Sequence, residues 1–435
     1  MKKTTKILLI VTFVLFYRAS GSNAEENSIS IHEAIELTLT NNSTLRSLRQ
    51  EIKKAYAFKL QADGTLLPSI SASASIDRQK ESTTNDGERN DNKGAQVALE
   101  QIIYSGGKNS AIRRQSKQVK SIAELMISNG ENDAVGALYV RFYNVILQRE
   151  KIKAEESAVK TSEQHLKEVQ KMRELGLANS LEVIRAGQQL ATNTANLSTA
   201  KGLYESAQIS LMNYIGITPE KRLEVTGLLN VPEAVGNRQT SIGRAQANRA
   251  DLKRLEEQLE YQKNQIIAEK SGMMPKITLG ASAGYINPYL KDDRGDDTWR
   301  AELSVTLPIF DRNTAKGNAI RAEAILEQDK IALQQKELDV KSEVEIAWTE
   351  VESSLGRLKA SEKALELGNE SLRLAEVGFR EGVTPQLDLL NAQTSLTSAR
   401  LDYAQSQYNH LLTIVALKVT EGAVIEWTGE IKTND

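Results

Sequence analysis

The sequence predicts a mainly α protein that carries part of a membrane β-barrel. Three observations point there. The chain is written twice, each half holds a helical stretch far longer than a globular domain needs, and four short segments alternate apolar and polar residues. The predicted architecture is a twofold internal repeat. Long antiparallel coiled-coil hairpins form an α-barrel, and four strands per chain contribute to a trimeric twelve-stranded barrel.

At the start of the chain, Lys2, Lys3 and Lys6 precede an apolar run at residues 7–17. That run is shorter than a membrane helix, which needs about 20 residues. Ser22, Asn23 and Ala24 supply small residues for cleavage. Residues 1–24 are therefore expected to be a signal peptide cut after Ala24. The chain has no Cys. This excludes a disulfide scaffold, a Cys-type zinc site and thiol catalysis, and a lipid anchor on an amino-terminal Cys is not expected. The 55 basic and 57 acidic residues nearly cancel, so nothing electrostatic points to nucleic acid.

The repeat sets the domain plan. "LLPSISASAS" from Leu66 returns as "MMPKITLGASAG" from Met273, and Pro68 and Pro275 lie 207 residues apart. "ELGLANSLEVIRAGQ" from Glu174 returns as "REGVTPQLDLLNAQ" from Arg380, with Gly176 and Gly382 206 apart. The first structural repeat is placed at 25–217, a connector at 218–240, the second repeat at 241–420 and a tail at 421–435. Within the repeats, strands are expected at about 68–78, 94–104, 275–286 and 298–308. Coiled-coil hairpins are expected at about 110–215 and 314–418.

Neither long helical stretch, 110–174 or 314–380, contains proline, so near-continuity is allowed. At 1.5 Å per residue each spans roughly 100 Å. Leu358, Leu365, Leu372 and Phe379 step by seven, as do Val183, Leu190, Leu197, Tyr204 and Leu211. A seven-residue step predicts helices coiled on one another. Ser361, Gly368 and Ala375 suggest a second, narrower seam, which would give each helix a neighbour on both sides. Asn179 with Glu182 three residues on predicts a capping box. Gly382 is expected to end one helix, with Thr384 capping the next and Pro385 at its first position.

In the alternating segments Ile70, Ala72, Ala74 and Ile76 oppose serines, and Trp299, Ala301, Leu303, Val305 and Leu307 oppose Arg300, Glu302, Ser304 and Thr306. Apolar outside and small-polar inside is the outer-membrane barrel pattern. Tyr104, Tyr285, Trp299 and Phe310 fall near the strand ends, where an aromatic girdle sits. Open edges are forbidden in lipid, so the strands must be pooled between copies. An eight-stranded interior is filled by side chains, so a conducting pore favours three copies.

With "LPIFDRN" (from Leu307) and "EGVTPQLDLLNAQTSL" (from Glu381), the signal peptide, repeat and strand pairs resemble TolC-like outer-membrane factors over essentially the whole mature chain. The resemblance implies a homotrimer in the outer membrane of a Gram-negative bacterium, surrounded by its lipid and reaching into the periplasm. It implies a passive exit duct of a tripartite efflux or type I secretion system. The implied partners are a periplasmic adaptor (membrane fusion) protein and an inner-membrane pump, either a resistance-type proton antiporter or an ABC exporter.

Residue by residue, Asp388 matches the first acidic position of the family's periplasmic gate, and Asn391 replaces the second. Asp388 equally suits a helix N-terminus. Phe379 and Thr384 stand where some members lock the closed state with Tyr and Arg, and Glu182 remains as the acidic partner. Leu175, Gly176, Leu177 and Ala178, with Gly382, Val383, Thr384 and Pro385, correspond to adaptor-docking tips; the same residues also satisfy ordinary turn chemistry. His32, His165 and His410 are scattered, so no metal site is expected. No cofactor is expected either, and no enzyme motif is present. The alternative reading is a soluble periplasmic coiled-coil adaptor or spacer protein.

Overall fold

A computed structural model describes residues 27–80, 89–218, 223–229, 236–287 and 295–430. The expected signal peptide, and most of the polar connections between paired strands at residues 79–92 and 287–297, lie outside the described residues.

The first half runs β1 (Asn27–Ile29), α1 (Ile31–Asn41), α2 (Ser43–Gly64), β2 (Ser69–Lys80), β3 (Arg89–Ser105), α3 (Lys108–Glu174) and α4 (Ser180–Ile215). After β4 (Leu223–Val225) the second half repeats it as α5 (Arg238–Asn248), α6 (Ala250–Lys270), β5 (Lys276–Asn287), β6 (Asp296–Thr306), α7 (Thr314–Arg380) and α8 (Gln386–Thr420). A short α9 (Val424–Glu430) follows.

The long helices α3 and α7 have 67 residues each. Each ends at a glycine in the left-handed region, Gly176 (φ 74°) and Gly382 (φ 75°). Crossed amide bonds close both turns, Leu177 to Met172 and Gly176 to Arg173 in one, Val383 to Gly378 and Gly382 to Phe379 in the other. Asn179 and Glu182 form a reciprocal capping box at α4. The cap of α8 differs from expectation. Pro385 is the N-cap, without a side-chain bond. Thr384 is held back by its own amide, which donates to the Gly378 carbonyl at 3.1 Å, so it belongs to the exit turn of α7.

Laterally, α3 packs on α4 and α8 toward the tips, and on α2 and α6 toward the sheet. Helix α7 packs on α8 and α6 at the same two levels. The layer is thus ordered α2/α4, α3, α6/α8, α7, with α2 stacked over α4 and α6 over α8. The expected narrow seam is corrected here. A Cβ at Gly368 would meet Leu396 and Ala399 of α8, so the small and large heptad positions of α7 form two sides of one seam. The outer flank of α7 instead carries Ile331, Leu338, Leu367 and Leu374, all exposed on the single chain.

A belt of core residues lies where the stacked helices meet. Tyr139, Phe142 and Ile146 of α3 pack with Ile35, Leu211, Ile215, Leu411 and Val415, and with Ile29 and Val225 of the parallel β1–β4 pair. Trp427 of α9 closes it, 5.6 Å from the Tyr139 ring.

The sheet has order β2-β3-β5-β6, all antiparallel. Its register puts Ile70, Leu99, Ala281 and Ala301 in one row, and Ala72, Val97, Ala283 and Trp299 in the next. Ser71, Ala98, Ser282 and Arg300 form the intervening row on the opposite face, where Ser69, Glu100, Gly280 and Glu302 form the next row. β3 is longer than the expected 94–104, because pairing continues to Lys80↔Arg89. A register shift between Ile102 and Tyr104 brings Tyr104 opposite Ile277 on the apolar face; strict alternation would have left it among the polar residues.

Candidate functional site

Two regions hold the candidate functional side chains, the sheet faces and the hairpin tips about 100 Å of helix away. On the sheet, the apolar face is open to its surroundings, and Trp299 is 82% exposed. Tyr285 and Trp299 stand at the strand ends joined by the polar connections, and Tyr104 at the helix end. Phe310 is placed differently. It lies beyond β6 in the turn to α7, 78% exposed. That turn also holds Arg312 and Asn313 with positive φ, which points the chain from strand into helix.

The polar face bears a shallow groove lined by Glu100, Gly280, Ser282, Arg300 and Glu302. Gly280 separates the two glutamates without a side chain of its own. Carboxylates on a pore wall raise local cation concentration. Replacing both Glu100 and Glu302 by Gln is expected to lower the cation-to-anion permeability ratio by roughly a factor of two or more, read from reversal potentials in a salt gradient.

At the tips, Leu175, Leu177 and Val383 are exposed, as is Pro385, while Ala178 and Thr384 are half-buried. Gly176 and Gly382 make the turns. Asp388 and Asn391 are exposed one turn apart on α8, and the stripe continues through Ser395, Ser398 and Asp402. Asp388 lies in the first turn, where the helix dipole favours its charge.

Of the expected lock positions, Phe379 meets His165 and Glu182 meets Gln386, whereas Thr384 is bonded to Gly378 in the turn. Phe379 meets the His165 ring edge-on at 5.3 Å. The Glu182 carboxylate is occupied by the Asn179 amide; its backbone carbonyl instead accepts from Gln386 Nε2 at 2.9 Å. The same nitrogen lies 3.2 Å from His165 Nε2. His165 and Gln386 are 3% and 6% exposed, and burial pushes the imidazole below its ordinary range. Sequence reasoning missed both. His165 reads as one of three scattered histidines, and Gln386 as an ordinary residue of a helix's first turn.

Among the described residues, no group of acidic or His side chains is placed to hold a metal ion. No helix there is long and apolar enough to cross a membrane.

The family model for outer membrane efflux proteins matches residues 34–217 and again 241–423. The chain is 24% identical over 427 residues to the probable efflux pump outer membrane protein TtgC of Pseudomonas putida, covering 92% of this chain and 84% of that one. It is 21% identical over 443 residues to the outer membrane protein TolC of Escherichia coli, covering 98% and 87%. Its fold matches the crystal structure of the CmeC outer membrane channel of Campylobacter jejuni with a TM-score of 0.79, at 17% identity, over 93% of this chain and 89% of that one.

Proposed function

The chain belongs to the outer membrane efflux protein family, and we propose from that premise that three copies close into one continuous duct gated at its helical tips. The protein is an outer-membrane exit duct, leading from the periplasm to the exterior, and the soluble-spacer reading is set aside. The observation that carries the closed assembly is a coincidence of open edges. The sheet ends at β2 on one side and β6 on the other. The helical layer ends at α2/α4 and at α7. Unpaired backbone cannot face lipid, where each unsatisfied group costs several kcal/mol. Joining β6 to the next copy's β2, and α7 to its α2/α4, removes every edge. Three copies give twelve strands and twelve helical columns.

In this reading residues 1–24 are the export signal, and repeats 25–217 and 241–420 are the duplicated wall unit. A periplasmic adaptor docks on the exposed Leu175, Leu177 and Val383 with their turn glycines. A resistance-type antiporter or ABC exporter in the inner membrane supplies the energy, and the duct catalyses nothing. Asp388 of three copies rings the closed mouth, with Asn391 leaving the next turn uncharged. Opening follows when the adaptor binds the splayed tips better than the packed ones.

Asp388→Ala is expected to raise closed-state conductance and to weaken block by multivalent cations by about tenfold, since one charge-assisted contact is worth roughly 1.5 kcal/mol. Single-channel recording in planar bilayers reads both. Recordings indistinguishable from wild type would remove Asp388 from the gate. A detergent-purified protein that stays monomeric would remove the duct assembly itself.

A further inference from the structure

We propose that Gln386 is a two-donor clasp holding the second hairpin against the first, and that protonation of His165 releases it, so that acidification splays the tips. The proposal rests on the gate reading above and adds its regulation.

The hydrogen bonds fix the chemistry. The Glu182 carbonyl only accepts, so the Gln386 atom 2.9 Å from it must be the amide nitrogen. That nitrogen carries a second hydrogen, and its other neighbour is His165 Nε2 at 3.2 Å. An attractive contact there requires a bare Nε2, hence a neutral ring with its proton on Nδ1. One amide nitrogen thus ties α8 to both helices of the first hairpin, α3 through His165 and α4 through Glu182. Phe379 of α7 covers the ring, so all four helices meet at this point.

Protonating His165 puts an N–H against an N–H. Flipping the Gln386 amide does not restore the clasp. The flip offers Oε1 to the imidazolium but turns the same oxygen toward the Glu182 carbonyl, so one tie is gained and the other becomes a repulsion. No third arrangement keeps both ties, because Nδ1 and Gln386 Oε1 have no hydrogen-bond partner to exchange with.

The charged groups around the ring do not supply a replacement. Glu168, one turn along α3, favours the protonated ring but is outweighed by burial. On α4 the Glu182 carboxylate is engaged at Asn179. On α7 the Arg380 guanidinium donates to the Glu376 carbonyl, and on α8 Asp388 is exposed. With its imidazole pushed below the ordinary range, the closed mouth binds fewer protons than the splayed one. Its stability is complete above the ordinary imidazole value of about 6.5 and falls as the pH drops below it.

The chain has no Cys, so Leu177→Cys and Val383→Cys provide clean spin-label sites on the two tips. In the full-length assembly, the Leu177–Val383 distance distribution is measured from about pH 7.5 down to about pH 5. The wild type is expected to shift toward long distances, with the open-to-closed ratio rising about tenfold. His165→Gln keeps an acceptor near the Nε2 position without a titrating ring, and is expected to stay closed throughout.

Gln386→Glu is the sharper variant. Its carboxylate cannot donate to the Glu182 carbonyl, and although it can accept from the Nε2–H tautomer of the neutral ring, its strong, charge-assisted partner is the protonated His165. Its response is expected to be inverted, closing on acidification, which a merely structural glutamine would not produce. A wild-type distance that ignores pH overturns the proposal, as does an undiminished response in His165→Gln. Should Gln386→Glu fail to assemble, the wild type and His165→Gln decide alone. Distances that follow pH while conductance does not would leave the clasp standing and remove the gate reading. Conductance that responds to Asp388→Ala while distances ignore pH would do the reverse.

Discussion

Ala301→Lys is expected to abolish stable assembly in the outer membrane, while Ser304→Lys is tolerated. Ala301 lies in the middle apolar row of the sheet, paired with Ala281 and in line with Leu99 and Ile70. A lysine at the bilayer midplane of a barrel wall costs about 2–4 kcal/mol. Threefold assembly repeats the cost, for a total of roughly 6–12 kcal/mol, comparable to the whole stability of an ordinary domain. The strand itself already carries charge on either side of Ala301, at Arg300 and Glu302, and both belong to the opposite face. Ser304 pairs with Thr278 on that same face. The measurement is the amount of unboiled trimer in outer-membrane fractions by gel mobility. Equal amounts for the two variants would mean that the faces are assigned the wrong way round.

The same alternation explains which features are legible in the amino-acid sequence. A strand's period of two is written residue by residue, and a duplication repeats its elements at fixed spacing, so the sheet faces and the two hairpins can be read from the chain. Features that depend on a partner element cannot. The register shift at Ile102 and Tyr104 leaves no mark, because the bulge is defined by what β5 does opposite. The seam of α7 is hidden for a related reason. A heptad pattern names the residues that face a neighbour but not which neighbour, and Gly368 serves the same contact as Leu365 instead of a second one. Thr384 looks like a cap because it precedes a proline, yet its amide is committed to α7. At the tips, Asp388 stands out by likeness. His165 and Gln386 come from different halves, 221 residues apart, and only the packing of four helices joins them.

The largest loss of fold stability is expected at Phe142. The columns α2/α4 and α6/α8 are stacks of separate helices, with no backbone continuity between their members, and the core belt is what holds the stacks beside the continuous α3 and α7. Phe142 is 1% exposed in that belt, and its ring meets Tyr143 edge-on at 5.5 Å. Phe142→Ala removes a ring from a close-packed site that cannot collapse without moving α1, α4 and α8 together, so the loss is expected at about 3–5 kcal/mol. Val140, two residues away, faces outward from α3, and Val140→Ala is expected to cost well under about 1 kcal/mol in the same helix. Thermal melting of the helical signal by circular dichroism separates the two, with the midpoint falling by on the order of 5 °C or more for Phe142→Ala. Because the belt lies far from both the sheet and the tips, the variant should also uncouple them. If its midpoint is unchanged but the trimer still forms, the stacks must be held by contacts between copies, and the exposed line Leu338, Leu367 and Leu374 on α7 becomes the place to cut.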